Sequence, residues 1–194
     1  MITVDVNKVY TYADYLRWNF EEQVELIRGK LFPMTPAPAR RHQTISTNLT
    51  RFFVGYIKPN DPCKFFHPPF DVRLPQLGLE ADDEVVNVVQ PDLCIVCDPS
   101  KLDDRGCLGP PDLIVEILSP STSHKDLNDK YDLYEEAGVK EYWVVFPGEN
   151  VVQVYTLDGT DKYGAPQNFA QTQTIPVGIF QGDLVVHLDK VFVD

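Results

Sequence analysis

Positive charge is scarce in this sequence. Seventeen Lys and Arg stand against 29 Asp and Glu, a formal net charge of −12 over 194 residues. That balance argues against a broad basic surface for nucleic acid. It leaves room for a local basic cleft, and Arg40 and Arg41 with His42, then Arg51 with Lys58, are the clearest positive clustering. No apolar run reaches the roughly 20 residues of a membrane span. Met1-Ile2-Thr3-Val4-Asp5 lacks the charged-then-apolar pattern of a signal peptide, so a cytoplasmic protein without membrane association is expected. Cysteine is also sparse. Cys94 and Cys97 are spaced C-x-x-C, but on a strand that spacing puts them on opposite faces. With no second pair at zinc-ribbon distance, all four cysteines read as reduced thiols. There is no G-x-S-x-G and no Cys in a nucleophile motif, which leaves a serine or cysteine hydrolase unsupported.

The stretch that organises the chain runs from Gly109 to Gly138. Residues 113–118 (Leu-Ile-Val-Glu-Ile-Leu) form a short β-branched and Leu-rich run bounded by prolines, which predicts a buried strand. Glu116 interrupts it, and a buried carboxylate costs several kcal/mol, as an order of magnitude, unless a positive group meets it. After a Pro/Ser turn, Ser123 with Asp126 reads as a capping box and Gly138 as a helix stop. Within that helix Leu127, Lys130, Tyr131 and Tyr134 fall on adjoining i+3 and i+4 positions. Lys130 therefore projects from the semi-apolar face, where it either meets Glu116 or snorkels to the surface.

The remaining pattern is that of one mixed α/β (α+β) domain over residues 1–194, a central sheet flanked by helices. A short helix is expected over 9–22 from Tyr12, Leu16 and Phe20, and a hairpin over 24–34 turning at Arg28-Gly29 with Glu25 on its first arm. Ile45, Leu49, Phe52, Phe53 and Tyr56 predict an amphipathic helix over 39–57, stopped by Pro59. Strands are expected over 64–74 and 88–97, with an acidic loop between them and another loop over 98–109. Residues 141–146 and 151–157 read as an antiparallel pair around Pro147-Gly148-Glu149-Asn150, residues 162–174 are poorly patterned, and short strand-like pieces close the chain.

Asp112 and Glu116 share a strand face but lie about 13 Å apart at the usual rise. A metal ion needs its oxygens within about 2.6 Å, so Asp112 reads as a turn residue. Asp92, after Pro91 at a strand start, is the natural partner on a neighbouring strand. Asp92 and Glu116 would suit a hard divalent ion, Mg²⁺ or Mn²⁺, with Lys130 nearby to orient a water.

Pro91-Asp92, then Val115-Glu116-Ile117-Leu118-Ser119-Pro120-Ser121-Thr122, Asp126-x-x-x-Lys130-x-x-x-Tyr134 and Gly138-Val139-Lys140-Glu141-Tyr142-Trp143 resemble the Uma-two family of restriction endonucleases. That family belongs to the PD-(D/E)XK nuclease superfamily. Val24-Glu25-Leu26-Ile27-Arg28-Gly29-Lys30-Leu31 and His42 also match, so the likeness covers roughly residues 21–152. It implies a restriction-endonuclease-like fold and metal-dependent hydrolysis of DNA phosphodiesters, with Asp92 and Glu116 as metal ligands and Lys130 as a further catalytic group. It also implies a homodimer, an expectation to which the apolar strand pair 142–145 and 151–155 contributes. The superfamily lysine usually lies two residues after the acidic residue, where this chain has Leu118; the likeness implies that Lys130 has taken over its role. Glu25 is either a further acidic ligand or a cross-strand surface charge. His42 is a catalytic group or an ordinary first-turn residue, and Ser119 and Ser121 read as turn and capping residues. The alternative is a catalytically inactive nuclease-fold protein that serves as an interaction or nucleic-acid-docking module.

Overall fold

The computed structural model describes residues 5, 8–18, 24–34, 39–119 and 126–193. Helix α1 is Tyr12–Tyr15, closed by a capping box between Thr11 and Asp14. It is much shorter than the helix expected over 9–22: Leu16 is exposed, and Phe20 lies outside the described residues. The hairpin is β1 (Val24–Ile27) and β2 (Lys30–Pro33). Its two turn residues, Arg28 and Gly29, have φ of 52° and 70°, the left-handed pair that a tight hairpin turn requires. Helix α2 is Arg40–Tyr56 and buries Ile45, Leu49 and Phe53 on one stripe, as the 3.6-residue period dictates.

The expected strand over 64–74 is divided. β3 (Lys64–Phe66) and β4 (Val72–Arg73) belong to different sheets, separated by Pro68-Pro69. The expected strand over 88–97 splits the same way into β5 (Val88–Val89) and β6 (Leu93–Val96). Proline has no N–H for a ladder, so Pro91 marks where the chain leaves one sheet for the other. The expected loop over 98–109 holds a small hairpin, β7 (Leu102–Asp103) and β8 (Gly106–Leu108). β9 (Leu113–Ile117) is fully buried. A π-helical turn, Asp126–Lys130, leads into α3 (Tyr131–Ala137), which ends at Gly138 with φ of 86°. The expected cap at Ser123 and the turn residue Ser121 lie outside the described residues. β10 (Glu141–Phe146) and β11 (Val151–Thr156) pair antiparallel, and β12 (Gln167–Ala170), β13 (Thr174–Pro176), β14 (Val185–His187) and α4 (Leu188–Val191) complete the chain.

One six-stranded sheet has the order β2-β1-β5-β4-β8-β7 and the other the order β12-β11-β10-β9-β6-β3. The second is mixed, because β10 runs parallel to β9 while its other pairs are antiparallel. The α2 face of this mixed sheet buries Leu93, Val115, Ile117 and Trp143 against Ile45, Leu49 and Phe53. Its opposite face carries Cys94, Ile114, Tyr142 and Val144, which pack on α3 and on Ile27, Val72 and Val89 of the first sheet. The apolar side chains at 142–145 are thus buried within the chain. Glu141, at the start of β10, is buried as well and accepts hydrogen bonds from Trp143 Nε1 (2.7 Å) and the Ile179 amide (2.9 Å), tying the 178–180 turn to the sheet. Among the described residues no helix is long and apolar enough to cross a membrane.

The cysteines correct the sequence reading. Cys63 and Cys97 are joined in a disulfide, while Cys94 and Cys107 are free and buried. The β3–β6 register pairs Lys64 with Val96, and one residue further it sets Cys63 opposite Cys97. That register is invisible without knowing which strands pair. Such a bridge is rare in a reducing cytosol, which stands in tension with the cytoplasmic expectation. Protein denatured without reductant should titrate two thiols, and four after reduction; four from the outset would contradict the bridge.

Candidate active site

Two carboxylates reach the space between the sheets by strand alternation. On β1, Leu26 packs outward with Tyr12 and Val88, so Glu25 and Ile27 face the mixed sheet. On β9, Val115 and Ile117 face α2, so Glu116 shares the opposite face with Ile114 and Leu118. Lys130 ends the π-helical turn and fills the gap: its Nζ lies 3.0 Å from Glu25 Oε1 and 2.8 Å from Glu116 Oε1. All three side chains are only 5–6% exposed. One turn on, Tyr134 donates its hydroxyl to Glu116 Oε1 at 2.7 Å, and the Gln90 amide donates to Glu25 Oε1 at 3.0 Å. Burial, then the charge of Glu116, pushes the Tyr134 hydroxyl well above the ordinary phenol value, so it stays a donor.

Asp92 sits where β5 gives way to β6. The antiparallel register Leu93↔Val115, continued by one residue, sets it across from Glu116. Its Oδ2 accepts from the Ile117 amide at 2.8 Å and meets His42 Nε2 at 3.2 Å. Burial opposes a charge on the His42 ring, but the hydrogen bond and negative charge of Asp92 outweigh it and raise the imidazole pKa above its ordinary value. His42 Nδ1 is buried with no hydrogen-bond partner among the described residues.

The structure therefore brings Glu25, Glu116 and Lys130 into direct contact, with Asp92 alongside on the neighbouring strand. Glu25 is no cross-strand surface charge; it is buried. Asp112 stays apart: its carboxylate accepts from the Cys97 amide and Lys140 Nζ, both at 2.6 Å, which is a turn-fixing role. Tyr134, Gln90 and the His42–Asp92 contact carried weaker signals in the sequence. Tyr134 is four residues after Lys130, and Gln90 directly precedes Pro91-Asp92. Gln90 also extends the polar network, donating from Nε2 to Asp71 Oδ1 at 2.8 Å beside the Tyr15 hydroxyl. Among the described residues no group of three or more His, Cys, Asp and Glu side chains forms a ready-made metal cage.

A family model described as "Putative restriction endonuclease" matches residues 12–188. Two proteins of Synechocystis sp. are similar in sequence. The uncharacterized protein slr1290 is 27% identical over 123 residues, 62% of this chain and 60% of that protein. The uncharacterized protein sll1609 is 27% identical over 139 residues, 69% of this chain and 72% of that protein. The chain thus spans less than two thirds of the length of the first relative. A crystal structure of a "putative nuclease belonging to DUF820" from Anabaena variabilis superposes with a TM-score of 0.71 at 21% identity, covering 94% of this chain and 97% of that one. At that identity the match speaks for the fold, which is mixed α+β and restriction-endonuclease-like.

The burial of Lys130 decides what its removal does. Lys130→Met leaves two buried carboxylates facing each other and should cost about 3–5 kcal/mol of unfolding free energy. Adding Glu116→Gln should recover part of that loss in denaturant titrations. A single variant as stable as wild type would show that the ammonium does not neutralise the pair.

Proposed function

We propose, since the chain belongs to the Uma2 restriction-endonuclease family, that it is a metal-dependent endodeoxyribonuclease. The observation that carries this reading is the junction of Asp92, Glu116, Glu25 and Lys130 where the two sheets meet. Asp92 and Glu116 would hold the ion, Mg²⁺ or Mn²⁺. Their chemistry fits: hard carboxylate oxygens on facing strands, with the hydrogen bonds of Asp92 to the Ile117 amide and His42 both falling on Oδ2. Glu25, Glu116 and Lys130 carry one formal negative charge between them, which favours a cation. When bound, the ion supplies an activated water and charge neutralisation at phosphorus.

The chain's own groups set the geometry. Lys130 is held 2.8 Å from Glu116, where its ammonium orients the attacking water and offsets charge developing on phosphate oxygens. Glu25 keeps that ammonium in place from the other sheet and is a further acidic group at the site. Tyr134 fixes Glu116 Oε1, and His42 with the Ile117 amide fixes Asp92 Oδ2. Double-strand cleavage would take two copies of such a site, which is the reason to expect a homodimer.

A second reading, a nuclease-fold docking module without catalysis, is favoured by Lys130 already pairing with both carboxylates. A cleavage assay separates the two. Purified protein should cut duplex DNA with Mg²⁺ or Mn²⁺ and not in EDTA, and Glu116→Gln and Asp92→Asn should each lower the rate by about 100-fold or more. Absence of turnover, with no metal-dependent rise in melting temperature, would favour the docking module.

A further inference from the structure

Helix α2 departs from the charge balance of the chain. Its 17 residues carry Arg40, Arg41 and Arg51 and no Asp or Glu, where the chain's average composition would place two or three acids. Arg40, Thr44, Thr47 and Arg51 recur at i, i+4, i+7 and i+11, so they share the face opposite the buried Ile45, Leu49 and Phe53. This face lines a groove of about 370 Å³, completed by Gln43, Asn48 and Val193, with no carboxylate side chain along it among the described residues. Arg51 is built into position: its Nη1 donates to Asn48 Oδ1 at 2.8 Å, and the buried Asn48 in turn donates to the Val191 carbonyl at 3.1 Å.

We propose that this outward face of α2 seats a DNA phosphate backbone, an inference that rests on the nuclease reading. From Arg40 to Arg51 the stripe spans about 16 Å of helix, the distance over which a duplex advances about five base pairs along its axis. Arginine, threonine and amide side chains are the groups that position phosphates without reading sequence. The N-terminal end of the helix is tied to Asp92 from its inner side by His42, while Arg40 two residues earlier points outward. The rest of the chain is acidic and repels a duplex, which concentrates its attraction on this face.

Fluorescence anisotropy with a labelled double-stranded DNA, in Ca²⁺ and over a salt series, tests the surface. Arg51→Gln should lower the slope of log affinity against log salt by about 1. Thr47→Glu, on an exposed position, should weaken binding by about tenfold or more. Arg51→Lys should keep the wild-type slope, and Lys162→Gln, outside the helix, should change affinity little. Wild-type binding with unchanged affinity and slope in both Arg51→Gln and Thr47→Glu overturns the surface while leaving the nuclease reading intact. A wild-type protein that binds no duplex at any salt overturns that reading, and this inference with it.

Discussion

A single ammonium held between two buried carboxylates is the constraint on which the rest of this structure depends. Glu25 belongs to one sheet, Glu116 to the other, and Lys130 to a helical turn from which its side chain reaches both. Each charge alone would cost several kcal/mol to bury, so the three are sustainable only together. The π-helical turn is part of this solution. An extra residue per turn at Asp126–Lys130 re-aims the side chain that ends it, and such turns recur at functional sites.

The second determinant is Gln90-Pro91-Asp92. Pro91 ends the ladder of the first sheet, and β6 begins the ladder of the second two residues later. The crossing gives each residue a separate task. The Gln90 amide satisfies Glu25, and Asp92 arrives opposite Glu116 with one oxygen fixed by the Ile117 amide and His42. The carboxylates and the lysine are thereby set by backbone geometry and packing, which is the preorganisation that the proposed phosphodiester hydrolysis would require.

Much of this was legible in the sequence where one physical signal dominated. The i, i+3, i+4 stripe of α2, the Arg28-Gly29 turn and the apolar run of β9 all fixed elements close to those found. The inward Lys130 followed from its helical neighbours. What was not legible depended on which strands pair. Residues 64–74 and 88–97 each looked like one strand, because local pattern does not report a change of sheet. The Cys63–Cys97 bridge followed the β3–β6 register, so it was hidden with it. Glu25 sits on a hairpin arm, where the sequence allowed either an acidic ligand or a cross-strand surface charge, and its burial depends on the second sheet. Tyr134 was recognised as a helix neighbour of Lys130, but its hydroxyl contact with Glu116 required the packed structure.

The most direct measurement is anomalous diffraction from a crystal of the protein soaked in Mn²⁺. A metal-dependent site formed by Asp92 and Glu116 predicts a Mn²⁺ peak within about 2.5 Å of an oxygen from each carboxylate. Saturating Mn²⁺ with no peak between them, or with peaks only at surface carboxylates, would contradict it.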